Sequence, residues 1–309
     1  MPSSIKWFLW LVCLSFGSAI LLPGCTSTAR VVQIPTVVEP VRPSINRTSD
    51  YPQMLAAIVS VMTRDLKLPA ADGIVTFYPN SMVLESALVT EYEKDFEQLE
   101  RQLGPKEKER FQATKAENIA LAARQRATTA VAVGMYKRVL VNELILVRYP
   151  WSERIRVLAH ELTHTVEKNL VDGQLMSADL WLVEGFAEWV AYKVLDALDI
   201  ESFAQGRKQA IDVTVKARQY QTFPSLTQLV TGTEWLTWAR TLGREATYGQ
   251  ALLAVDFLIE QKSLSAVVEY FRLFGKLNNR ERNFVTAFGE PVSAFEEEFS
   301  QHLQVLLGN

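Results

Sequence analysis

The apolar positions divide the chain into three stretches. From Trp7 to Leu22 they run almost unbroken, preceded by one cation, Lys6, and closed by the small residues Gly24 and Cys25. Residues 26–50 carry Pro35, Pro40 and Pro43 without any helical period, which predicts an extended tether. From Tyr51 to Asn309 the pattern is that of one compact unit. "YPQMLAAIVSVMTRDLKL" predicts a helix, and "GIVTFYP" a short strand closed by Pro79. Leu84, Leu88, Tyr92, Phe96, Leu99 and Leu103 then recur at spacings of three and four, the stripe of an amphipathic helix, stopped at Gly104-Pro105. The charged "KEKER" reads as a solvated helix face, and "AENIALAARQR" as a further helix. Thr128 to Val147 is rich in β-branched residues with a polar break at Tyr136-Lys137-Arg138, which predicts a β-hairpin. After Pro150 the pattern is helical to the end. The fold class expected is α+β, mostly helical, with a small sheet or hairpin and a helical C-terminal part.

The first stretch has the layout of a secretory signal peptide. "LLPGC" resembles the lipobox of bacterial lipoproteins, with Pro23 departing from the usual residue at its position. That resemblance implies that residues 1–25 are a signal, that Cys25 becomes the lipidated N-terminus, and that the protein is held to a membrane. With Thr26 following the cysteine, it implies the outer membrane, facing the periplasm. The alternative is an uncleaved transmembrane anchor, since the apolar run is close to bilayer length. Cys13 and Cys25 are the two cysteines, so the chain beyond Cys25 has no thiol to offer a metal or a disulfide. Asn46-Arg47-Thr48 is formally a glycosylation sequon, without consequence in a bacterial lipoprotein. At 48% hydrophobic and 22% charged the chain can bury a sizeable core, and a net charge of −3 gives no basic field for nucleic acid.

Two of the three histidines stand together in "RVLAHELTHTVEK". On the helix expected to start near Ser152, His160 and His164 are i and i+4 and project side by side, a spacing at which two imidazoles can hold one zinc ion. Glu161 is turned about 100° around the axis, beside the ion and off it, where it can take a proton from water. This His-Glu-x-x-His string is the zinc-hydrolase pattern, and it needs a third protein ligand with one position left open.

"HELTH" followed by "WLVEGFAEW" resembles the gluzincin peptidases, of thermolysin and aminopeptidase N type, in a bacterial peptidase-MA-like form. "FPSLTQL", "TYGQALLAVDFLIE" and "FVTAFGEPVSAFEEEF" fit that likeness more loosely, and residues before about 115 resemble nothing nameable. The resemblance implies a thermolysin-like fold and Glu184 as the third zinc ligand, with Val183 replacing the usual asparagine before it. It also implies that Tyr248, in "EATYGQALL", donates to the oxyanion; the competing reading is an aromatic core residue at a helix start. Glu188 is placed one turn beyond Glu184, either to orient a ligand histidine or to form a plain surface salt bridge. His302, in the last helix, is expected to play a surface or core role.

The function implied is zinc-dependent hydrolysis of peptide bonds in envelope or extracellular polypeptides, the substrate pairing as an added strand along the hairpin's edge. Two alternatives stand beside it: a peptidase-like chaperone or assembly factor of the envelope, and a structural zinc protein. Aminopeptidases of this kind bind the substrate amine through a glutamate on the edge strand. Here "VAVGMYKRV" offers Lys137 and Arg138, which would repel an ammonium, and Glu143 is expected on the far strand. An endopeptidase is therefore expected.

Overall fold

A computed structural model describes residues 28–36, 44–101, 103–174, 176–219 and 222–306. The expected signal peptide and the lipidation site Cys25 lie outside these residues. Among those described, no helix is long and apolar enough to cross a membrane.

The strands are β1 (Arg30–Gln33), β2 (Ile74–Tyr78), β3 (Ala132–Met135) and β4 (Arg138–Asn142). They form one mixed sheet in the order β1-β2-β4-β3. β1 runs antiparallel to β2 with Arg30 opposite Phe77, β2 parallel to β4 with Thr76 opposite Leu140, and β4 antiparallel to β3 with Val139 opposite Gly134. The period-2 alternation of side chains sorts the sheet into two faces. Val75, Phe77, Ala132, Val139 and Val141 point to the main core, whereas Val133, Met135 and Leu140 point the other way. That second face is covered by two long helices, α2 (Ser81–Arg101) and α3 (Pro105–Thr129), through Leu88, Tyr92, Phe96, Phe111 and Ile119. The stripe read from the sequence is thus the buried face of α2, and "KEKER" is the first turn of α3 rather than a separate piece.

The main core is closed by helices. α1 (Tyr51–Ser60) is started by a capping box between Asp50 and Gln53 and runs on into a π-turn, Val61–Asp65. After β4 come α4 (Glu143–Leu146), α5 (Trp151–Leu170), α6 (Leu180–Ala197), α7 (Phe203–Arg218), a short 3₁₀ turn Leu226–Gln228, α8 (Gly232–Thr241), α9 (Arg244–Lys262), α10 (Leu264–Leu273), α11 (Arg280–Phe288) and α12 (Val292–Leu306). Trp181, Phe186, Tyr270, Phe271, Phe284 and Phe295 are wholly buried at the junction of α6 with α10, α11 and α12. The architecture is mostly helical with a small mixed sheet, as the sequence pattern led us to expect.

Three boundaries differ from the expectation. Part of the proposed tether is docked: Arg30–Gln33 adds the outermost strand and Ile34 is fully buried behind it. The hairpin's second strand ends at Asn142, not Val147, because the Asn142 side chain accepts from the Ile145 N–H at 3.3 Å and caps α4. The same side chain donates to Ser81 Oγ at 3.0 Å and the Ala127 carbonyl at 3.2 Å, fixing the junction of sheet and helices. Finally, α5 begins at Trp151 behind Pro150, so Ser152 lies inside the helix and does not cap it.

Candidate metal and active site

α5 and α6 pack side by side, and their facing surfaces carry the candidate ligands. His160 and His164 stand on α5 with their Nε2 atoms 3.1 Å apart. Glu184 Oε2, from α6, lies 3.3 Å from His160 Nε2 and 3.7 Å from His164 Nε2. These side chains are 11%, 12% and 16% exposed, so the cluster is nearly closed to solvent. Ligand atoms on a tetrahedron of radius about 2.0–2.1 Å around zinc would be about 3.3–3.4 Å apart, and the observed separations bracket that value. The three sequence-proposed ligands therefore come together as a group that could hold a metal ion.

The surrounding charges fit a cation too. Glu188 Oε1 lies 3.2 Å from His160 Nδ1, while its other oxygen accepts from Arg156 at 2.6 Å. Glu167 Oε2 is 2.9 Å from His164 Nδ1 and leaves its second oxygen buried without a partner. Each imidazole thus has a carboxylate near the nitrogen facing away from the cluster centre: Glu167 is hydrogen-bonded to His164 Nδ1 and aims its Nε2 inward, while Glu188 stands close to His160 Nδ1, which makes no hydrogen bond. Burial by itself would lower the His160 pKa, but Glu184 and Glu188 outweigh it and raise it to about 9. His164 is raised in the same way by Glu167 and Glu184, against burial. Glu184 moves oppositely: burial would raise it, yet the two imidazoles hold it well below the usual carboxylate range. The cluster draws in protons as its positive charge, and a metal ion would take their place.

Glu161 sits on α5 turned away from the ligand set, as its position in the helix requires. Its Oε2 accepts the backbone N–H of Gly134, on β3, at 2.5 Å. β3 can come this near only because residue 134 is glycine: an added Cβ would stand 2.4 Å from the Glu161 carbonyl oxygen and 2.8 Å from His164 Cβ. Gly185, next to Glu184, plays the same part between helices, since a Cβ there would lie 2.4 Å from the Ala251 carbonyl on α9. That close approach brings Tyr248, one turn into α9, to a ring-centre distance of 6.2 Å from His160. Tyr248 also packs edge-on against Trp235 at 5.0 Å. Burial first, and then Glu184, raise its hydroxyl pKa above the ordinary value, so the group stays a neutral hydrogen-bond donor. His302 is not part of this arrangement; it stacks on Phe257 at 4.3 Å.

Glu167 and Arg156 were not singled out from the sequence. The signal for Glu167 was its place three residues after His164, on the same helix face; Arg156 stands one turn before His160. Glu188 combines the two alternatives: it forms the salt bridge, to Arg156 and away from the surface, and its other oxygen lies 3.2 Å from His160 Nδ1 without a hydrogen bond between them.

The edge-strand expectation needs amending. Lys137 lies in the two-residue hairpin turn at φ +55° and pairs with Asp72 at 3.4 Å, and Arg138 pairs with Glu91 at 2.8 Å. Both cations are partly neutralised, so the repulsion expected of them is weak. Glu143 opens α4 instead of lying on a strand, and is paired with Arg30 at 2.6 Å. What remains is that β3 itself carries no carboxylate. Two cavities, of about 670 and 520 Å³, contain no residue of the cluster. Comparison with protein-family models, curated proteins and solved structures finds no match for the chain.

Proposed function

We propose that this protein is a zinc-dependent peptide hydrolase of the gluzincin, thermolysin-like kind. The observation that carries the reading is the convergence of His160 Nε2, His164 Nε2 and Glu184 Oε2 within 3.7 Å, with a buried carboxylate near the far nitrogen of each imidazole, beside a carboxylate that is held but not used as a ligand. Zinc is the ion that two imidazoles and one carboxylate, with no thiolate, suit in a hydrolase; bound there it acts as a Lewis acid and makes hydroxide available near neutral pH.

The chain's own groups supply the rest. Glu161, its carboxylate fixed by the Gly134 amide, is positioned to accept a proton from the attacking water and return it to the leaving nitrogen. Tyr248 offers a neutral O–H to the oxyanion. β3 is an edge strand beside the ligand helix, where an extended peptide can add as a further strand. With no carboxylate on β3 to bind a free amine, cleavage within a chain is the favoured mode. The lipobox at Cys25 extends the proposal to an envelope lipoprotein, anchored at the outer membrane and acting on periplasmic or extracellular polypeptide. A chaperone of the same shape would have no need of Glu161 held in place, and a structural zinc site would not leave one ligand position open.

The soluble body should bind about one zinc ion per chain. Glu161→Gln should keep the metal and lose hydrolysis of unfolded protein substrates, and His160→Ala should lose both. Absence of zinc in the wild-type protein after metal-replete expression, measured by elemental analysis, would sink the reading.

A further inference from the structure

Ten large apolar side chains are exposed among the described residues, and five of them stand at one end of the sheet. Met82 and Val83 lie in the first turn of α2, Leu144 on α4, and Val147 and Tyr149 in the link from α4 to α5; they are 37% to 71% exposed. Short contacts tie the two segments together. The Asn142 amide, at the end of β4, donates to Ser81 Oγ at 3.0 Å and sets the start of α2 beside the start of α4. Arg154, in the first turn of α5, donates to the carbonyls of Val147 at 2.6 Å and Tyr149 at 2.9 Å, which pins the link. Single exposed apolar residues are ordinary on a protein surface, but five gathered at one end mark a contact surface.

The sheet register points to the partner. β1 runs antiparallel to β2, so Arg30, opposite Phe77, enters the sheet at the end where β2 and β4 leave it, and it pairs there with Glu143 of α4 at 2.6 Å. The chain before Arg30 therefore joins the body at the apolar end. Six residue steps separate Thr28, where the described chain starts, from Leu22, the last residue of the apolar run, a reach of at most about 22 Å. The charges suit an anionic lipid surface. Arg148 is exposed and Arg154 partly buried, neither in an ion pair among the described residues, whereas Glu143 and Glu153 are paired with Arg30 and Arg156.

We propose that this end of the molecule, Met82 and Val83 with Leu144, Val147 and Tyr149, docks on the surface of the bilayer that holds the N-terminal segment. The amphipathic ring of Tyr149 suits the headgroup layer. The inserted group is the lipid on Cys25 or the apolar run itself. Either keeps the patch so close to the surface that a weak apolar contact suffices, because docking is then intramolecular. α5 leaves this end at Trp151 and runs to the opposite end of the sheet, where Asn169 accepts from the Lys137 amide at 3.3 Å and donates to the Asp72 carbonyl at 3.1 Å. His160, nine residues from Trp151, is thereby held about 14 Å along the helix from the docked end. The inference rests on the membrane-anchor part of the proposed function and is independent of its zinc chemistry.

The test uses full-length protein, Cys13→Ser throughout, reconstituted from the expressing membranes into phosphatidylethanolamine–phosphatidylglycerol vesicles. An environment-sensitive fluorophore is attached at Leu144→Cys, at Tyr149→Cys or, as a control, at Leu277→Cys, with the parent as the blank for Cys25. Leu277 is exposed at the far end of the molecule, on a cavity wall shared with Arg101, the last residue of α2. Lipids brominated along the acyl chain report depth by quenching. The labels on Leu144→Cys and Tyr149→Cys should lie about 5–10 Å below the headgroups, the depth of an interfacial apolar face, while the label on Leu277→Cys stays in water. In protein labelled at Met82→Cys, Leu144→Glu with Tyr149→Glu should abolish quenching. In the same protein Arg148→Gln should lower the ratio of docked to undocked molecules about fivefold, the effect of one cation near an anionic surface. Protein that floats with the vesicles but is quenched nowhere, or equally at all three positions, overturns the docking proposal and leaves the anchor standing. Protein that stays out of the membrane altogether overturns the anchor and this inference with it, whatever its zinc content and peptidase activity.

Discussion

The helix that delivers Glu184 begins at Asp179, a carboxylate that is 2% exposed. Its Oδ2 accepts from the Tyr270 hydroxyl at 3.2 Å, and Arg280 comes only to 3.7 Å of the other oxygen. Burial outweighs both partners and pushes the Asp179 pKa from 3.8 up to about 6. The folded protein therefore holds this proton more tightly than the unfolded chain does. The stabilisation is complete below pH 3.8 and is lost as the pH rises through about 6. At about 1.4 kcal/mol per pH unit, the gap between 3.8 and 6 amounts to about 3 kcal/mol lost by pH 7.5, with about 1.4 kcal/mol of it lost between pH 5 and 7.5. Asp179→Asn keeps an acceptor for Tyr270 and cannot ionise. Relative to wild type, it should be more stable at pH 7.5 than at pH 5 by that same 1.4 kcal/mol or so. Urea unfolding of both proteins at the two pH values, with metal removed throughout so that titration of the ligands is common to both, measures the double difference. A difference of zero, or one favouring wild type at pH 7.5, would show that Arg280 and the start of α6 stabilise the charge and that the reasoning from burial is wrong.

Tyr248→Phe should lower kcat by roughly 10²–10³ while zinc content stays the same, the loss expected for one oxyanion donor; an unchanged kcat returns Tyr248 to the core. Glu188→Gln and Glu167→Gln should each weaken zinc binding by roughly 10- to 100-fold in chelator competition, because each removes the negative charge facing the far nitrogen of one imidazole. Gly185→Ala should destabilise the protein by about 1–3 kcal/mol in thermal melts, by forcing α6 off the Ala251 carbonyl. It should also reduce kcat, since Glu184 and Tyr248 ride on the two helices being separated.

The parts of this arrangement that were legible in the sequence are those governed by local spacing. His160 and His164 share a helix face by arithmetic, the stripe from Leu84 to Leu103 marks the buried side of α2, and the break at Tyr136-Lys137 marks a turn that needs positive φ at Lys137. Glu184 was found through a resemblance, and its convergence with the histidines depends on helix packing that no period in the chain reveals. The parallel pairing of Ile74–Tyr78 with Arg138–Asn142 was hidden for a similar reason, since the partners are separated by α2, α3 and β3. The short strand at Arg30 was masked by the prolines near it. Lys137 and Arg138 misled because a cation's effect depends on its partners, and Asp72 and Glu91 are far off in sequence.

The docking of β1 governs where the molecule can stand. β1 forms one rim of the sheet and β3, with the Gly134 amide that holds Glu161, the other, three strand spacings or about 14 Å away. If Cys25 carries the lipid, its link to Arg30 can span at most about 17 Å, against roughly 80 Å had residues 26–50 all been free. Such a leash would be short, and fastened to the rim farther from His160, Glu161 and His164. A protein anchored in that way would not sweep the space around its anchor; it would stay at a near-constant height above the bilayer.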